Sequence, residues 1–320
     1  MMTKQEIENR IAQLVKEYGE WTFDIPLPEG VWTGGNRGIP HTRLKSVLQI
    51  IQDVSVKPIY SCRILDLGCL DGIFSIEFAL HGAKVTGVDA REANIKKALF
   101  AKETLGLKNV EFIQDDVRNL SVQKYGRYDV LLCSGILYHL NTPDVFVFIE
   151  NMYEMVEKLV IIDTHVSLNP RVSVIHKGKE YHGHTVREHS YSDNEEAKLK
   201  RLWSSFGNDT SFWFTRPSLI NLLSHTGFSS IYECFNAPHL NLGRPGLEHE
   251  DRCTFVAIKG QQLKLHTSPA SNNLEEDWPE GSLSYTYRKE YRPTILLPGF
   301  VWRVISKLKY INKAVENVKK

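Results

Sequence analysis

Glycines and one carboxylate are spaced along this chain as they are in nucleotide-binding turns. The apolar run of residues 63–67 is interrupted by Gly68 and Gly72, after which apolar residues continue at helical spacing. The β-branched run of residues 83–88 ends at Asp89, about 20 residues beyond the first glycine, where a carboxylate accepts hydrogen bonds from ribose hydroxyls. The segment therefore predicts a site for an adenosine.

The residues inside the turn favour one class of cofactor over two others. Leu70 stands where a dinucleotide site has its middle glycine, and Asp71 lies at the mouth of the next helix. A carboxylate there would repel a pyrophosphate but attract a sulfonium and an ammonium. Gly72 is followed by Ile73 and Phe74, so the lysine of a phosphate-binding loop is missing. These features predict S-adenosylmethionine rather than NAD, ATP or GTP.

Four motifs, in order, resemble those of the class I S-adenosylmethionine-dependent methyltransferases. Residues 66–72 resemble the glycine loop of that family, and residues 87–89 resemble its ribose-binding strand end. Residues 114–118 resemble the segment that contacts adenine, and residues 128–140 resemble the fourth strand and the loop over the methionine moiety. The resemblance covers roughly residues 40 to 260, with a departure at Leu70.

The resemblance implies a set of cofactor contacts. Asp89 is expected to bind the ribose, and Asp116 is expected to meet the adenine edge. Arg43, on the helix before the first strand, is either a bidentate partner of the methionine carboxylate or a surface arginine. The full predicted set is Arg43, Asp66, Gly68, Cys69, Leu70, Asp71, Gly72, Asp89, Ala90, Arg91, Asp115, Asp116, Val117, Ser134, Gly135 and Ile136.

Methyl transfer requires alignment and deprotonation but no covalent enzyme intermediate. His139, which follows the fourth strand, is the predicted base because imidazole titrates near neutral pH, and Tyr138 is its predicted companion. Helix capping or a hydrogen bond to a neighbouring loop would explain His139 equally well. The predicted substrate residues are Asp163, His165, Tyr181, Arg187, Glu188, Tyr191 and Trp213.

Two groups of these residues also have plainer explanations. Residues 176–191 are rich in histidine but lack the spacing of zinc motifs, so no residue is assigned to a metal. Residues 211–215 form an aromatic cluster that is either half-buried core or a stacking face for a planar or sugar-like substrate.

Alternating strand and helix patterns predict an α/β fold, and the resemblance makes it a doubly wound, mostly parallel seven-stranded sheet. Residues 1–41 are predicted to form an N-terminal helix and lid. Residues 42–260 are predicted to form the cofactor-binding domain, interrupted by a substrate-capping insertion at about residues 166–211. Residues 261–320 are predicted to form a polar connector and a C-terminal helix.

Composition narrows the function classes. The 320 residues are 42% hydrophobic and 24% charged with a net charge of +1, which gives no argument for nucleic acid as a partner. The N-terminus lacks the apolar core of a signal peptide, so a cytoplasmic location is expected. Residues 294–320 are both apolar and basic, which suits a helix that docks on its own domain, on a second subunit or on a membrane surface.

The sequence thus predicts methyl transfer to oxygen or nitrogen of a small molecule, with a glycan or lipid-linked sugar as a candidate acceptor. Two alternatives stay open. Residues 135–139 also resemble carboxymethyltransferases of the tRNA wobble uridine, and related folds react other carbons of the cofactor, including by intramolecular cyclisation. The second alternative is a non-enzymatic module that binds the cofactor and pairs through its tail.

Overall fold

The computed structural model describes residues 2–35, 40–55, 57–234 and 251–260, with the backbone alone of residues 270–272. The helices are α1 (Lys4–Tyr18), α2 (His41–Val54), α3 (Ile73–Leu80), α4 (Glu92–Thr104), α5 (Val122–Tyr125), α6 (Asp144–Met155), α7 (Glu195–Lys200) and α8 (Arg216–Thr226). The strands are β1 (Arg63–Leu67), β2 (Lys84–Asp89), β3 (Val110–Gln114), β4 (Tyr128–Ser134), β5 (Val156–His165), β6 (Val172–His176), β7 (Lys179–Arg187), β8 (Thr210–Phe214), β9 (Ser230–Cys234), β10 (Arg252–Ile258) and β11 (Ala270–Asn272).

The main sheet confirms the predicted doubly wound α/β fold. Within the described residues its strand order is β3-β2-β1-β4-β5-β10-β9-β11. The five strands from β3 to β5 run parallel, and β10 is antiparallel to β5 and β9. The predicted seven strands are all present, and three-residue β11 extends the edge. The carboxyl ends of the parallel strands meet at one edge, where sheets of this kind bind ligands.

The insertion forms a second sheet that the sequence did not predict. Its strands β6, β7 and β8 are antiparallel and adjacent in that order. Most residues of β6 and β7 are partly or fully exposed. A sheet that is covered on so little of its surface needs few apolar residues, so its strands lack a strong hydrophobic pattern.

The N-terminal segment packs on the main domain. Helix α1 begins with a capping box between Thr3 and Glu6, as favoured for helix starts. Trp21 is fully buried, with its ring 6.3 Å from that of Phe100 on α4. The N-terminal segment therefore contacts α4, and its role as a lid stays a prediction.

The predicted connector and C-terminal helix lie outside the described residues, apart from β11. Among the residues that are described, no helix has both the length and the apolar character needed to span a bilayer.

Candidate active site

The glycine turn is hydrogen-bonded to the end of β2, at Val88 and Asp89. The backbone N–H groups of Gly68 and Cys69 donate to the carbonyl of Val88, at 2.8 and 3.0 Å. Leu70 has a φ of 51°, a left-handed conformation that costs a non-glycine residue about 1 to 2 kcal/mol. Its N–H donates to Asp89 Oδ2 at 3.1 Å, so the strained turn is held by the carboxylate that the sequence assigns to the ribose.

Asp89 is an ordered acceptor at the end of β2. Its Oδ1 accepts from the Arg91 N–H at 2.9 Å and from Asn94 Nδ2 at 3.0 Å. Burial raises the pKa of this carboxyl group, and the hydrogen bonds oppose that shift. Each carboxylate oxygen can accept more than one hydrogen bond, so Asp89 retains capacity for ribose hydroxyls.

Asp71 binds the N-terminal segment, and its predicted contact with the cofactor stays a prediction. The Asp71 carboxylate is fully buried and accepts from the backbone N–H groups of Thr22 and Phe23, at 2.7 and 2.9 Å. Burial raises its pKa to about 6. Asp71 therefore joins the N-terminal segment to the glycine turn.

Asp66 and Cys69, at the glycine turn, also have buried side chains. Asp66 accepts from Ser75 Oγ at 2.7 Å, and burial raises its pKa to about 7. The Cys69 side chain is buried in the hydrophobic core. Both side chains are buried, and their predicted contacts with the cofactor stay predictions. Gly72 belongs to the same packing, because a Cβ there would lie 2.8 Å from the ring of Phe112.

The two carboxylates of the predicted adenine segment accept hydrogen bonds from groups near them in the chain. Burial works to raise the pKa of Asp115, but hydrogen bonds from Asn119, Lys124 and Tyr125 lower it to about 2. That carboxylate is hydrogen-bonded within its own loop, and its predicted cofactor contact stays a prediction. Asp116 caps the next turn through the Arg118 N–H and pairs with the Arg118 guanidinium.

The remaining predicted adenine residues lie at the ends of β2 and β3. Ala90 is half-buried, and its carbonyl accepts from Gln114 Nε2 at 3.3 Å. The Val117 side chain is buried. The Arg91 side chain donates to the carbonyls of Arg201 and Ser204 in the insertion.

A buried carboxylate with two arginines lies at the end of β5. Asp163 Oδ1 accepts from Arg252 Nε at 2.6 Å, and Arg43 Nε lies 3.7 Å from Asp163 Oδ2. Although burial raises the pKa of Asp163, these guanidinium groups hold it below its usual range. The Gly135 N–H donates to the Asp163 carbonyl at 2.9 Å, which brings the loop after β4 to this cluster. The Asp163 carboxylate therefore holds two guanidinium groups together, and it is buried rather than exposed to a substrate.

Sequence reasoning missed Arg252. It is paired with His165 in the register of β10 against β5, two positions from the Asp163 partner Thr254. No motif marks this arginine, and only the antiparallel pairing of β10 with β5 would have indicated it.

The loop after β4 also touches the glycine turn. A Cβ built on Gly68 would lie 3.2 Å from Ile136 Cβ. Ser134 ends β4, and Gly135 follows with a φ of 84°. The structure therefore brings together the predicted residues Gly68, Ile136, Ser134 and Gly135.

His139 and Glu188 form a close pair. His139 Nδ1 lies 3.1 and 3.0 Å from the two carboxylate oxygens of Glu188, and the two side chains are 13% and 6% exposed. Burial raises the pKa of Glu188, but hydrogen bonds from His139 and the Ser205 N–H bring it below its usual range. A carboxylate at Nδ1 favours a proton on that nitrogen, which leaves Nε2 as the proton acceptor.

The insertion fixes the backbone around this histidine. Trp213 Nε1 donates to the Tyr138 carbonyl at 2.9 Å. Asn208 Nδ2 donates to the His139 carbonyl at 2.9 Å, and the Phe212 N–H donates to the Leu140 carbonyl at 2.8 Å. Neither Asn208 nor Ser205 was predicted, since polar loop residues carry no periodic signal.

Aromatic rings line the region beside the pair. The ring centroid of Tyr138 is 4.3 Å from that of His139 and 4.7 Å from that of His165. His165 stacks on Trp213 at 4.8 Å, with 17° between the planes. His184 lies 5.4 Å from Trp213, and its Nδ1 is 2.8 Å from Ser167 Oγ. The structure thus gathers the predicted residues Tyr138, His139, His165, Glu188 and Trp213.

Three predicted substrate residues lie elsewhere. Tyr181 is buried, with its hydroxyl 2.8 Å from His225 Nδ1 and its ring 5.4 Å from that of Phe146, so it belongs to the packing of the insertion. Arg187 and Tyr191 are exposed, and the guanidinium lies 3.5 Å from the ring centroid. Tyr191 is 89% exposed, so this pair forms part of the outer surface. Among the described residues, no group of three His, Cys, Asp or Glu side chains is arranged to hold a metal ion.

Residues 60–205 match a family model described as a methyltransferase domain. The matched segment holds the glycine turn, Asp89 and His139, and it makes up slightly less than half of the chain.

Known methyltransferases resemble parts of this chain. The ubiquinone biosynthesis O-methyltransferase of Bordetella pertussis is 38% identical over 81 residues, which are 25% of this chain and 33% of that protein. Its counterpart in Rickettsia prowazekii is 29% identical over 109 residues, 34% of this chain and 42% of the relative. The chain thus spans about a third of the length of the first of these curated relatives.

One solved structure is similar over most of the chain. The N-terminal domain of EvdMO1, crystallised with SAH, has a TM-score of 0.61 at 23% identity and covers 81% of this chain and 97% of its own. The same domain in the presence of SAH and D-fucose has a TM-score of 0.60 at 24% identity, with the same coverage. At this identity the likeness establishes the fold.

Proposed function

We propose that this protein transfers the methyl group of S-adenosylmethionine to a hydroxyl group of a small-molecule acceptor. The observation that carries the proposal is the His139–Glu188 pair, whose histidine lies on the loop after β4 that also carries Ile136 to the glycine turn. A histidine held through Nδ1 by a buried carboxylate presents Nε2 in a fixed direction as a proton acceptor. Hydroxyl acceptors need such a base, because the hydroxyl proton is lost as the new bond to carbon forms.

The described residues fit the cofactor. Asp89 has acceptor capacity for the ribose, and the loop of Ser134 and Gly135 lies against the glycine turn through Ile136. Arg43 remains half-exposed beside Asp163, which suits it to the methionine carboxylate. When bound, S-adenosylmethionine would supply an electrophilic methyl group. His139 then accepts the acceptor's proton at Nε2, and Glu188 stabilises the resulting imidazolium.

A sugar-like acceptor is the substrate class that the site favours. Tyr138 and Trp213 offer aromatic edges and faces against which the C–H faces of a sugar ring can pack. His165 and His184 add imidazole groups that can hydrogen-bond neighbouring hydroxyls. One similarity supports this choice, since the EvdMO1 domain was crystallised in the presence of D-fucose. The sequence relatives are O-methyltransferases, which supports oxygen as the acceptor atom.

Methyl-labelled S-adenosylmethionine and a panel of acceptors test the proposal. The panel contains free deoxyhexoses, nucleotide-linked sugars, phenols and amines, and products are identified by mass spectrometry. We expect one added methyl group on a sugar hydroxyl. Labelling of amines or phenols alone, or a carboxymethyl product, would contradict the proposal.

A pair of aromatic variants tests the acceptor wall. Trp213→Leu should raise the KM of the acceptor, whereas Tyr60→Leu, which alters a 68% exposed residue at the amino end of β1, should leave it unchanged. Equal effects of both changes would show that Trp213 acts only through folding.

A further inference from the structure

Residues 199–206 lie between the cofactor edge of the main sheet and the catalytic pair, and we call them the latch. Arg91 holds the latch from the end of β2. Its Nη2 donates to the carbonyls of Arg201, Ser204 and Ser205, at 3.0, 2.9 and 3.4 Å. Its Nε donates to the carbonyl of Leu199 at 3.4 Å.

A second arginine holds the end of the latch. Arg118, which follows β3, donates from Nη2 to the carbonyl of Phe206 at 3.1 Å. The Arg91 guanidinium carbon also lies 5.6 Å from the ring centroid of Phe206. The latch is therefore bound to the ends of both strands that the sequence assigns to ribose and adenine.

The same segment supports the proposed base. The Ser205 N–H donates to Glu188 Oε2 at 2.9 Å, while the Ser205 carbonyl accepts from Arg91 and from His189 Nε2, the latter at 3.0 Å. One peptide segment thus links the guanidinium to the carboxylate that orients His139. Two residues after the latch, Asn208 binds the carbonyl of His139.

We propose that Arg91 is a positioning residue that aligns the His139–Glu188 pair through the latch; this inference rests on the proposed function. The planar fork of an arginine can bind several carbonyls at once, whereas a lysine offers a single ammonium. The backbone N–H of Arg91, which binds Asp89, is independent of the side chain. Changing the side chain therefore separates alignment of the base from retention of the cofactor.

Arg91→Ala and Arg91→Lys test the inference, with Arg127→Ala as the control because Arg127 is exposed and pairs with Glu157. We expect both Arg91 variants to be cut faster by trypsin after Lys200 and Arg201 in the latch. At saturating substrates, kcat should fall about 10- to 100-fold, as expected for a base displaced by about 1 Å. Affinity for S-adenosylhomocysteine should stay near that of the control.

A measurement without turnover separates this inference from the proposed function. In the S-adenosylhomocysteine complex, the hydrogen-bonded Nδ1–H proton of His139 should be visible by NMR in the parent and in Arg127→Ala, and lost by exchange in Arg91→Ala. An unchanged proton signal overturns the inference, whether or not an acceptor has been found. A loss of cofactor affinity as large as the loss in kcat, or full rescue by lysine, would also overturn it.

Discussion

Asp89 combines two tasks at the scale of a single residue. It accepts hydrogen bonds from Leu70, Arg91 and Asn94, and so holds the glycine turn in place. It also carries the negative charge that the proposed cofactor site offers to ribose hydroxyls. Hydrogen bonds to a charged acceptor are roughly twice as strong as neutral ones, so removing the charge should weaken both tasks together.

Asp89→Asn should weaken binding of S-adenosylhomocysteine by roughly 5- to 30-fold, because it replaces charge-assisted bonds by neutral ones. Isothermal titration calorimetry measures this change. Asp53→Asn is the control, since Asp53 is exposed on α2 and binds only Gln49 among the contacts of the described residues. An Asp89→Asn protein that binds with unchanged affinity would remove Asp89 from the cofactor site.

Residue type and chain position assign candidate roles to Asp89, His139 and the loop at Gly135, and these roles stay predictions. They did not indicate the hydrogen bonds of Asp71 or Tyr181, because a motif does not show which way a side chain points. Asp71 turns to two backbone N–H groups of a segment almost 50 positions earlier in the chain. Such a long-range contact leaves no local pattern in the sequence.

At the scale of elements, β1 and α3 are joined by a buried carboxyl group. Asp66 on β1 accepts from Ser75 on α3, and burial raises its pKa from 3.8 to about 7. A carboxyl whose pKa is raised on folding stabilises the protein most at low pH. That contribution is complete below the unfolded pKa and is lost as pH rises through the folded value.

The melting temperature of the ligand-free protein should therefore fall as pH rises from about 4 to about 7. Asp66→Asn keeps an acceptor for Ser75 but removes the titrating carboxyl group, so the melting temperature should fall less steeply with pH. Asp71, whose pKa is raised to about 6, accounts for part of the slope that remains. Calorimetric scans across this pH range measure both slopes, and identical slopes in the two proteins would refute the assignment.

The N-terminal segment is joined to the glycine turn through Asp71. Asp71→Ala leaves the buried N–H groups of Thr22 and Phe23 without their acceptor, which costs about 1 to 3 kcal/mol for each group. We expect the free energy of unfolding in urea to fall by about 2 to 6 kcal/mol. Asp53→Ala should change it little, and an equally stable Asp71→Ala protein would contradict this account.

Element types in the main sheet were predictable because parallel strands are buried and apolar while their helices are amphipathic. Strand β5 was longer than predicted, since Val156 and His165 extend it beyond the apolar run. The insertion sheet escaped prediction because its exposed strands alternate weakly. Arg91, Arg118 and Trp213 then fix that sheet to the site by contacts that no spacing shows.

At the scale of the whole molecule, the site lies between two sheets. The main sheet supplies the glycine turn, Asp89 and Asp163, and the insertion supplies Glu188, Asn208 and Trp213. His139 lies on the loop of the main domain that the insertion binds. The family match ends at residue 205, so β8 and its aromatic residues lie beyond the shared part.

The apolar and basic residues 294–320 lie outside the described residues, and we propose that they bind a membrane surface or a second subunit. Every proposed cofactor residue precedes residue 252, so deletion from Thr294 onward should leave affinity for S-adenosylhomocysteine unchanged. Sedimentation with anionic liposomes and light scattering should show a loss of vesicle binding or a halved mass. If only the melting temperature falls, the segment packs on its own domain.

The central claim is that His139, oriented by Glu188, acts as the base of a methyl transfer. The most direct measurement compares kcat and affinity for S-adenosylhomocysteine in His139→Ala and Glu188→Gln. The surface controls are His81→Ala and Glu77→Gln, because His81 Nε2 lies 3.2 Å from Glu77 Oε1 at the end of α3. We predict that kcat falls about 100-fold or more in His139→Ala, and less in Glu188→Gln, while cofactor affinity and both controls stay at parent values. Unchanged turnover in His139→Ala, or a parallel loss of cofactor affinity, would contradict the claim.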